Sequence, residues 1–236
     1  MTSQQILAEL KPLGSASIKK MLMANHGVKE PCFGTKIGDL KKIQKRIKKD
    51  HHLALDLYAT GNYDAMYLAG LIADDAIMTK ADLQRWVENA YGGSLPGYTV
   101  AWVAAGSPHG RELALEWIDS PEPLVALAGW STLGYLVALK PDTKLDLTEL
   151  KHLLQRVQKT IRQAPDRARY GMNSFLIAVG AYVQPLTDLA LRTAEAIGPV
   201  MADLGDNSCQ IPSAPDHIRK AQKTGSIGKK RKTVKC

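Results

Sequence analysis

Cysteine is scarce in this chain: Cys32, Cys209 and Cys236 are the only three in 236 residues, too few and too far apart for a disulfide framework. None stands at ligand spacing from another cysteine or from the scattered histidines His26, His51, His52, His109, His152 and His217. Only a meeting of the three thiols in space would make a ligand set, so no metal is expected. No strand-rich stretch and no glycine-rich phosphate loop following a strand occurs, which argues against a nucleotide-binding α/β enzyme. No cofactor and no nucleotide are expected. The uncharged run Tyr170 to Thr187 approaches the length that spans a bilayer. Asn173, Ser174, Gln184 and Pro185 interrupt it, so it reads as a buried core helix and no membrane segment is expected. A basic start with an apolar core, the mark of a secretory signal, does not follow Met1. The final residues do not form a prenylation box. A cytoplasmic location is expected.

Acid is missing from one region. Residues 217–236 hold Arg219, Lys220, Lys223, Lys229, Lys230, Arg231, Lys232 and Lys235 and no Asp or Glu. The whole chain has 31 basic and 23 acidic residues, net +8, so residues 1–216 hold 23 of each sign and balance to zero. Concentrated positive charge attracts polyanions through phosphate neutralisation and counterion release, which makes nucleic acid the first partner to consider. Ile211, Ile218, Ile227 and Val234 are interleaved with this charge, so the segment is expected to be partly ordered against the body.

A second cationic element lies at Lys36 to Lys49. Ile37, Leu40, Ile43 and Ile47 recur at helical spacing and form one apolar stripe. Lys41, Lys42, Lys45, Arg46, Lys48 and Lys49 fall on the other side, with Asp39 the only acid of the segment. Solvated helix faces usually mix signs to support pairs along the helix. This one is read as a candidate phosphate-binding face.

The remaining pattern is helical throughout. Short apolar-periodic segments are separated by Pro12 and Gly14, by Gly61-Asn62, by the breaker-rich run Gly92 to Gly97, and by Pro121, Pro123, Pro141 and Pro185. Thr79 and Asp82 form an N-cap pattern. The segment Tyr63 to Asp74 is apolar nearly all round and belongs inside a stack. Helices of ten to eighteen residues, paired by tight turns, are the pattern of HEAT-like repeats, in which each pair buries its apolar face on the next. The expectation is an all-α helical repeat solenoid over residues 1–204, followed by a basic C-terminal segment at 205–236. An irregular helical bundle is the alternative.

All four tryptophans, Trp86, Trp102, Trp117 and Trp130, lie in the middle of the chain. Tryptophan is most often core. In a basic chain, Trp86, Trp102 and Trp130, with Tyr98, are also candidates to stack on a base or sugar. Isolated Ser, His and Asp residues define no catalytic triad.

The string Phe33-Gly34-Thr35-Lys36-Ile37-Gly38-Asp39-Leu40-Lys41-Lys42 and the order of helix pairs up to about Gly198 resemble the AlkD-like DNA alkylation-repair family, built from HEAT-like helical repeats. Asn62 to Ala69, Arg169 to Phe175 and Gly228 to Cys236 resemble a narrower subgroup of it. In the family's glycosylase members, a tryptophan is followed four residues on by an aspartate whose carboxylate stabilises the cationic sugar as an alkylated base departs. Here the positions four after the tryptophans are Ala90, Gly106, Pro121 and Gly134. The stretch Tyr91 to Trp102 has no carboxylate, and the uncharged segment near Val125 to Gly134 supplies no counterpart to the family's arginine.

The resemblance therefore implies a basic helical scaffold for double-stranded DNA, reading damaged or distorted duplex through backbone and shape. Excision of alkylated purines would need another acid, with Glu88 and Asp64 the first to test; no catalytic residue is assigned. Lys41, Lys42, Lys45, Arg46, Lys49, Lys229, Lys230, Arg231 and Lys232 are expected to bind phosphate, and Arg169 to line the binding face. A monomer associated with the nucleoid through DNA is expected. The rival reading is a non-catalytic helical scaffold for protein partners, which fold analogy alone does not separate from the first.

Overall fold

A computed structural model describes residues 1–205 and 211–235. Cys209 and Cys236 lie outside them. The described residues contain thirteen α-helices and no strand beyond an isolated bridge between Gly14 and Thr35. They group into two compact units, with the first division between His109 and Gly110.

The first unit holds α1 (Ser3–Leu10), α2 (Ala16–His26), α3 (Ile37–Ile47), α4 (His51–Ala59), α5 (Tyr63–Ile72), α6 (Lys80–Asn89) and α7 (Ala101–Gly106). Leu204, Gly205 and Lys235 return to it. Helix α5 is its centre: every residue of it is buried, and α1, α3 and α4 pack against it. That is the outcome expected of a helix without a polar face. Its start is set by Gly61, at φ 67°, and by Asn62, whose side chain accepts from Ala65 N at 3.1 Å. Asp50 caps α4 and Thr79 caps α6 in the same manner, each accepting from the backbone at 3.0 Å. Such caps satisfy N–H groups that have no partner within the helix.

The breaker-rich run is not a plain loop. Leu95–Val100 forms a π-helical turn that runs directly into α7. It lies tight against α5 at Gly70, where a Cβ would stand 2.5 Å from Thr99 Cγ2. Only glycine permits that approach. Widened turns of this kind concentrate at functional sites, and this one carries the exposed Tyr98.

The second unit contains α8 (Gly110–Trp117), α9 (Pro123–Leu139), α10 (Leu147–Thr160), α11 (Asp166–Tyr182), α12 (Thr187–Ile197) and α13 (Ala214–Lys223). Helices α9 and α11 form its core pair, with α8 on α9 and with α12 and α13 on α11. The α8–α9 crossing is close because Gly129 has no side chain: a Cβ there would stand 2.7 Å from Ile118 N and 2.9 Å from Ala114 O. Helix α13 belongs to the basic segment and is fully formed. Ser213 caps it, and Ile218, at 0% exposure, fills the space left by Gly180. Among the described residues, no single helix is long and apolar enough to cross a membrane.

Candidate nucleic-acid interface

The expected stripe of α3 is only half buried. Leu40 and Ile43 enter the core, whereas Ile37 is exposed. Lys36 is the N-cap residue, and Lys48 closes the helix at φ 64°. The opposite face is divided by its partners. Lys42 pairs with Asp39 at 2.8 Å, Arg46 with Glu9 at 2.5 Å and Lys49 with Asp74 at 3.0 Å. Lys41, Lys45 and Lys48 make no ion pair among the described residues. Lys41 and Lys45 stand at i and i+4, on one side of the helix, and Lys48 follows as the residue that closes it. At about 1.5 Å per residue Lys41 and Lys45 are about 6 Å apart along the axis, close to the roughly 6.8 Å that two phosphate steps of about 3.4 Å cover along one strand.

What positions α3 is a carboxylate. Asp64, at 1% exposure in α5, accepts from Phe33 N at 2.7 Å and Gly34 N at 3.3 Å through Oδ2, and from Thr35 N at 2.6 Å through Oδ1. The loop leading into α3 is thereby fixed to the central helix of its unit. Asp64 is fully engaged, which removes it as a candidate catalytic acid. Glu88 sits on the exposed side of α6 and accepts from Gln84 at 2.7 Å. Beside Asp64, burial pushes the Cys32 thiol up to about 12, with the carboxylate adding to the shift, so the thiolate that nucleophilic or metal chemistry requires is suppressed.

The C-terminal cations also divide. Lys230 Nζ is tied down by Asp142 at 2.7 Å, Tyr182 O at 2.5 Å and Val137 O at 2.9 Å. It anchors the segment and is not presented to a partner. Arg219 pairs with Glu195 at 2.5 Å. Lys220, Lys223, Lys229, Arg231 and Lys232 are exposed, and their side chains have no acidic partner among the described residues.

Arg169 does something other than line a binding face. Its guanidinium donates to the carbonyls of Ile161 (3.1 Å), Ala164 (2.8 Å), Arg162 (3.3 Å) and Met201 (2.6 Å) and to the Asp166 carboxylate (3.2 Å). These acceptors include backbone groups beyond the end of α10 that the helix itself leaves unsatisfied. The tryptophans likewise belong to the core. Trp86, Trp102 and Trp130 are at most 2% exposed, Trp86 being stacked on Tyr58 at 4.0 Å between centroids and Trp130 packed on Phe175 at 5.3 Å. Of the stacking candidates Tyr98 alone, at 40% exposure, presents its ring.

Position 106, four after Trp102, has a particular occupant. A Cβ on Gly106 would overlap the side chain of Asp75, so the space of the missing side chain holds the Asp75 carboxylate. Lys235 Nζ lies 2.6 Å from that carboxylate and 3.0 Å from Ala73 O. Burial raises the Asp75 pKa and lowers that of Lys235, while each charge opposes the other's shift. A carboxylate does stand here, contributed by a different helical turn, and an ammonium group neutralises it.

Sequence reasoning selected the two cationic segments and missed how they are divided. The spacing of Lys41, Lys45 and Lys48 was available as a signal, as was the run of Lys220 and Lys223 on α13. The acids that neutralise their neighbours come from remote parts of the chain and left no local trace.

Paired helices packed through small residues, with two sets of uncompensated cations, define a helical-repeat protein with free basic faces. The chain belongs to the DNA alkylation repair enzyme family, which it matches over residues 6–203. It is 32% identical over 227 residues to the uncharacterized protein Lin0241 of Listeria innocua, covering 94% of this chain and 98% of the relative. Identity to the uncharacterized protein Lmo0209 of Listeria monocytogenes is 31% over the same length and coverage. A solved structure, described as a new family of proteins related to the HEAT-like repeat DNA glycosylases with affinity for branched DNA structures, superposes with a TM-score of 0.91 at 36% identity, covering 100% of both chains. The fold is accordingly the all-α, HEAT-like helical repeat class.

Proposed function

We propose that this protein binds DNA in repair, recognising distorted or branched duplex through its phosphates and shape, and that it does so without excising a base. The observation that carries the reading is the set Lys41, Lys45 and Lys48, three uncompensated cations on and at the end of a helix whose entry loop is locked to the core by Asp64. The exposed Lys229, Arg231 and Lys232 of the second unit supply further phosphate contacts. Phosphate contacts position a protein on nucleic acid, and deformability then selects the site. Family membership and the stated affinity of the similar structure for branched DNA support the same assignment.

Base excision is set aside on chemical grounds. A cationic transition state is stabilised by a carboxylate free to face it, whereas the Asp75 carboxylate that fills the space beside Gly106 faces Lys235. The protein acts here as a monomeric recognition module.

The test is fluorescence anisotropy on a four-way junction, a fork and a linear duplex of equal length, beside incubation with alkylated DNA scored for abasic sites. Tighter binding to the branched forms, weakening steeply with salt and yielding no abasic sites, is expected. Absence of DNA affinity at low salt sinks the reading, and accumulation of abasic sites sinks its non-catalytic part.

A further inference from the structure

A cavity in the second unit has a volume of about 720 Å³ and is walled by Val200, Met201, Ile211, Pro212 and Pro215. Such a volume falls in the range of small-molecule sites. Asn173 of α11 lines it and is itself 0% exposed. The Asn173 Nδ2 donates to Pro212 O at 2.9 Å. Because a carbonyl only accepts, that bond fixes which way the amide points. Its Oδ1 is then left buried with no protein donor, a costly condition for an amide oxygen. The charged groups of the lining, Glu195, Asp216 and Arg219, pair with one another, which leaves Asn173 Oδ1 as the acceptor to be satisfied. A ligand that satisfies this cavity is therefore apolar on its faces and carries an N–H donor on its edge.

Helix α13 adds a second requirement. At about 100° per residue, Asp216, Arg219, Lys220 and Lys223 share one face of it, opposite the buried Ile218. Asp216 and Arg219 line the cavity, so Lys220 and Lys223 extend from its rim along the same face. Arg219 lies 2.5 Å from Glu195 and 3.9 Å from Asp216, compensating both carboxylates, and the two lysines remain for an anion.

We propose that this cavity receives the base of an unpaired nucleotide bearing an exocyclic amino group, with its phosphate held by Lys220 and Lys223. The apolar walls take the base faces, Asn173 Oδ1 accepts from the amino group, and the site selects adenine over thymine, which has no exocyclic amine. The proposal deepens the branched-DNA reading and rests on it for its biological substrate: a branch or fork offers unpaired bases that intact duplex withholds.

The experiment titrates full-length protein with dAMP, adenosine and dTMP, followed by amide and side-chain NMR shifts. Saturable shifts of Asn173, Met201 and the α13 amides are expected, with dTMP at least 5-fold weaker than dAMP. Lys220→Gln with Lys223→Gln weakens dAMP and leaves adenosine unchanged. Ala202→Leu narrows the cavity without adding a ring that could stack, and Asn173→Leu removes the acceptor; each, checked for folding by circular dichroism, loses adenosine binding about 10-fold or more while keeping linear-duplex affinity. No saturable shift at these residues, or adenosine binding unchanged in Ala202→Leu, overturns the proposal. Wild-type affinity for linear and branched DNA is measured in parallel, and its absence overturns the DNA reading while the mononucleotide titration judges the cavity separately.

Discussion

Replacing Lys41, Lys45 and Lys48 together by Gln tests the phosphate-binding face most directly. Each phosphate neutralised on duplex DNA contributes about −0.9 to the slope of log K against log salt. Three contacts therefore account for a slope of about 2.7 in magnitude, and the triple variant is expected to lose that amount. Over a fourfold rise in salt, from 50 to 200 mM, the wild-type protein then weakens about 40-fold more than the variant does. The assay is anisotropy on one junction at five salt concentrations. Lys230→Gln is the control, because it removes one unit of charge from a side chain already held by Asp142, Val137 O and Tyr182 O, and its slope is expected to match wild type. A triple variant whose slope equals that of wild type refutes the reasoning, since uncompensated charge on α3 would then make no contact.

Other perturbations probe the scaffold. Asp64→Asn replaces one of two accepting oxygens by a donor facing backbone N–H groups and is expected to cost roughly 2 to 3 kcal/mol, read by urea denaturation; unchanged stability would contradict the anchoring role. Gly129→Ala forces apart the backbones of α8 and α9 and is expected to cost about 1 to 3 kcal/mol, seen as a lowered Tm. Lys235→Met leaves Asp75 buried without its counter-ion, for a loss of roughly 3 kcal/mol at pH 7. Because burial already raises the Asp75 pKa, the folded protein protonates this group before the unfolded chain does. The variant should therefore regain stability relative to wild type as pH falls toward the ordinary Asp range near 4. Asp75→Asn combined with Lys235→Met should restore most of the loss at pH 7, and a double variant as unstable as the single one contradicts the pairing.

Much of the helix order could be read from turn residues alone. Gly61-Asn62, Thr79 and Pro123 stand at the helix starts they foretold, and α5 is central because its composition leaves it no solvent face. The π-helical turn at Leu95–Val100 was hidden behind glycines and a proline, which signal a break without saying what replaces it. Charge was the least legible property. Glu9 is 37 residues from Arg46, and Asp74 is 25 from Lys49; Asp75 is 160 from Lys235. A count of cations along the chain includes those already spent on such partners, as well as an arginine, Arg169, occupied with helix-end carbonyls. The aromatic cluster misled for a related reason: large rings in adjacent helices meet each other before they meet solvent.

The attachment of the α3 entry loop to Asp64 bears on the thermodynamics of association. A lysine face carried on a helix already fixed to its core has no backbone left to order when a polyanion arrives, so only side-chain motion is lost. Association at this face should then proceed with a small heat-capacity change, unlike the large negative values that accompany folding coupled to binding. Its affinity should respond to salt far more than to temperature.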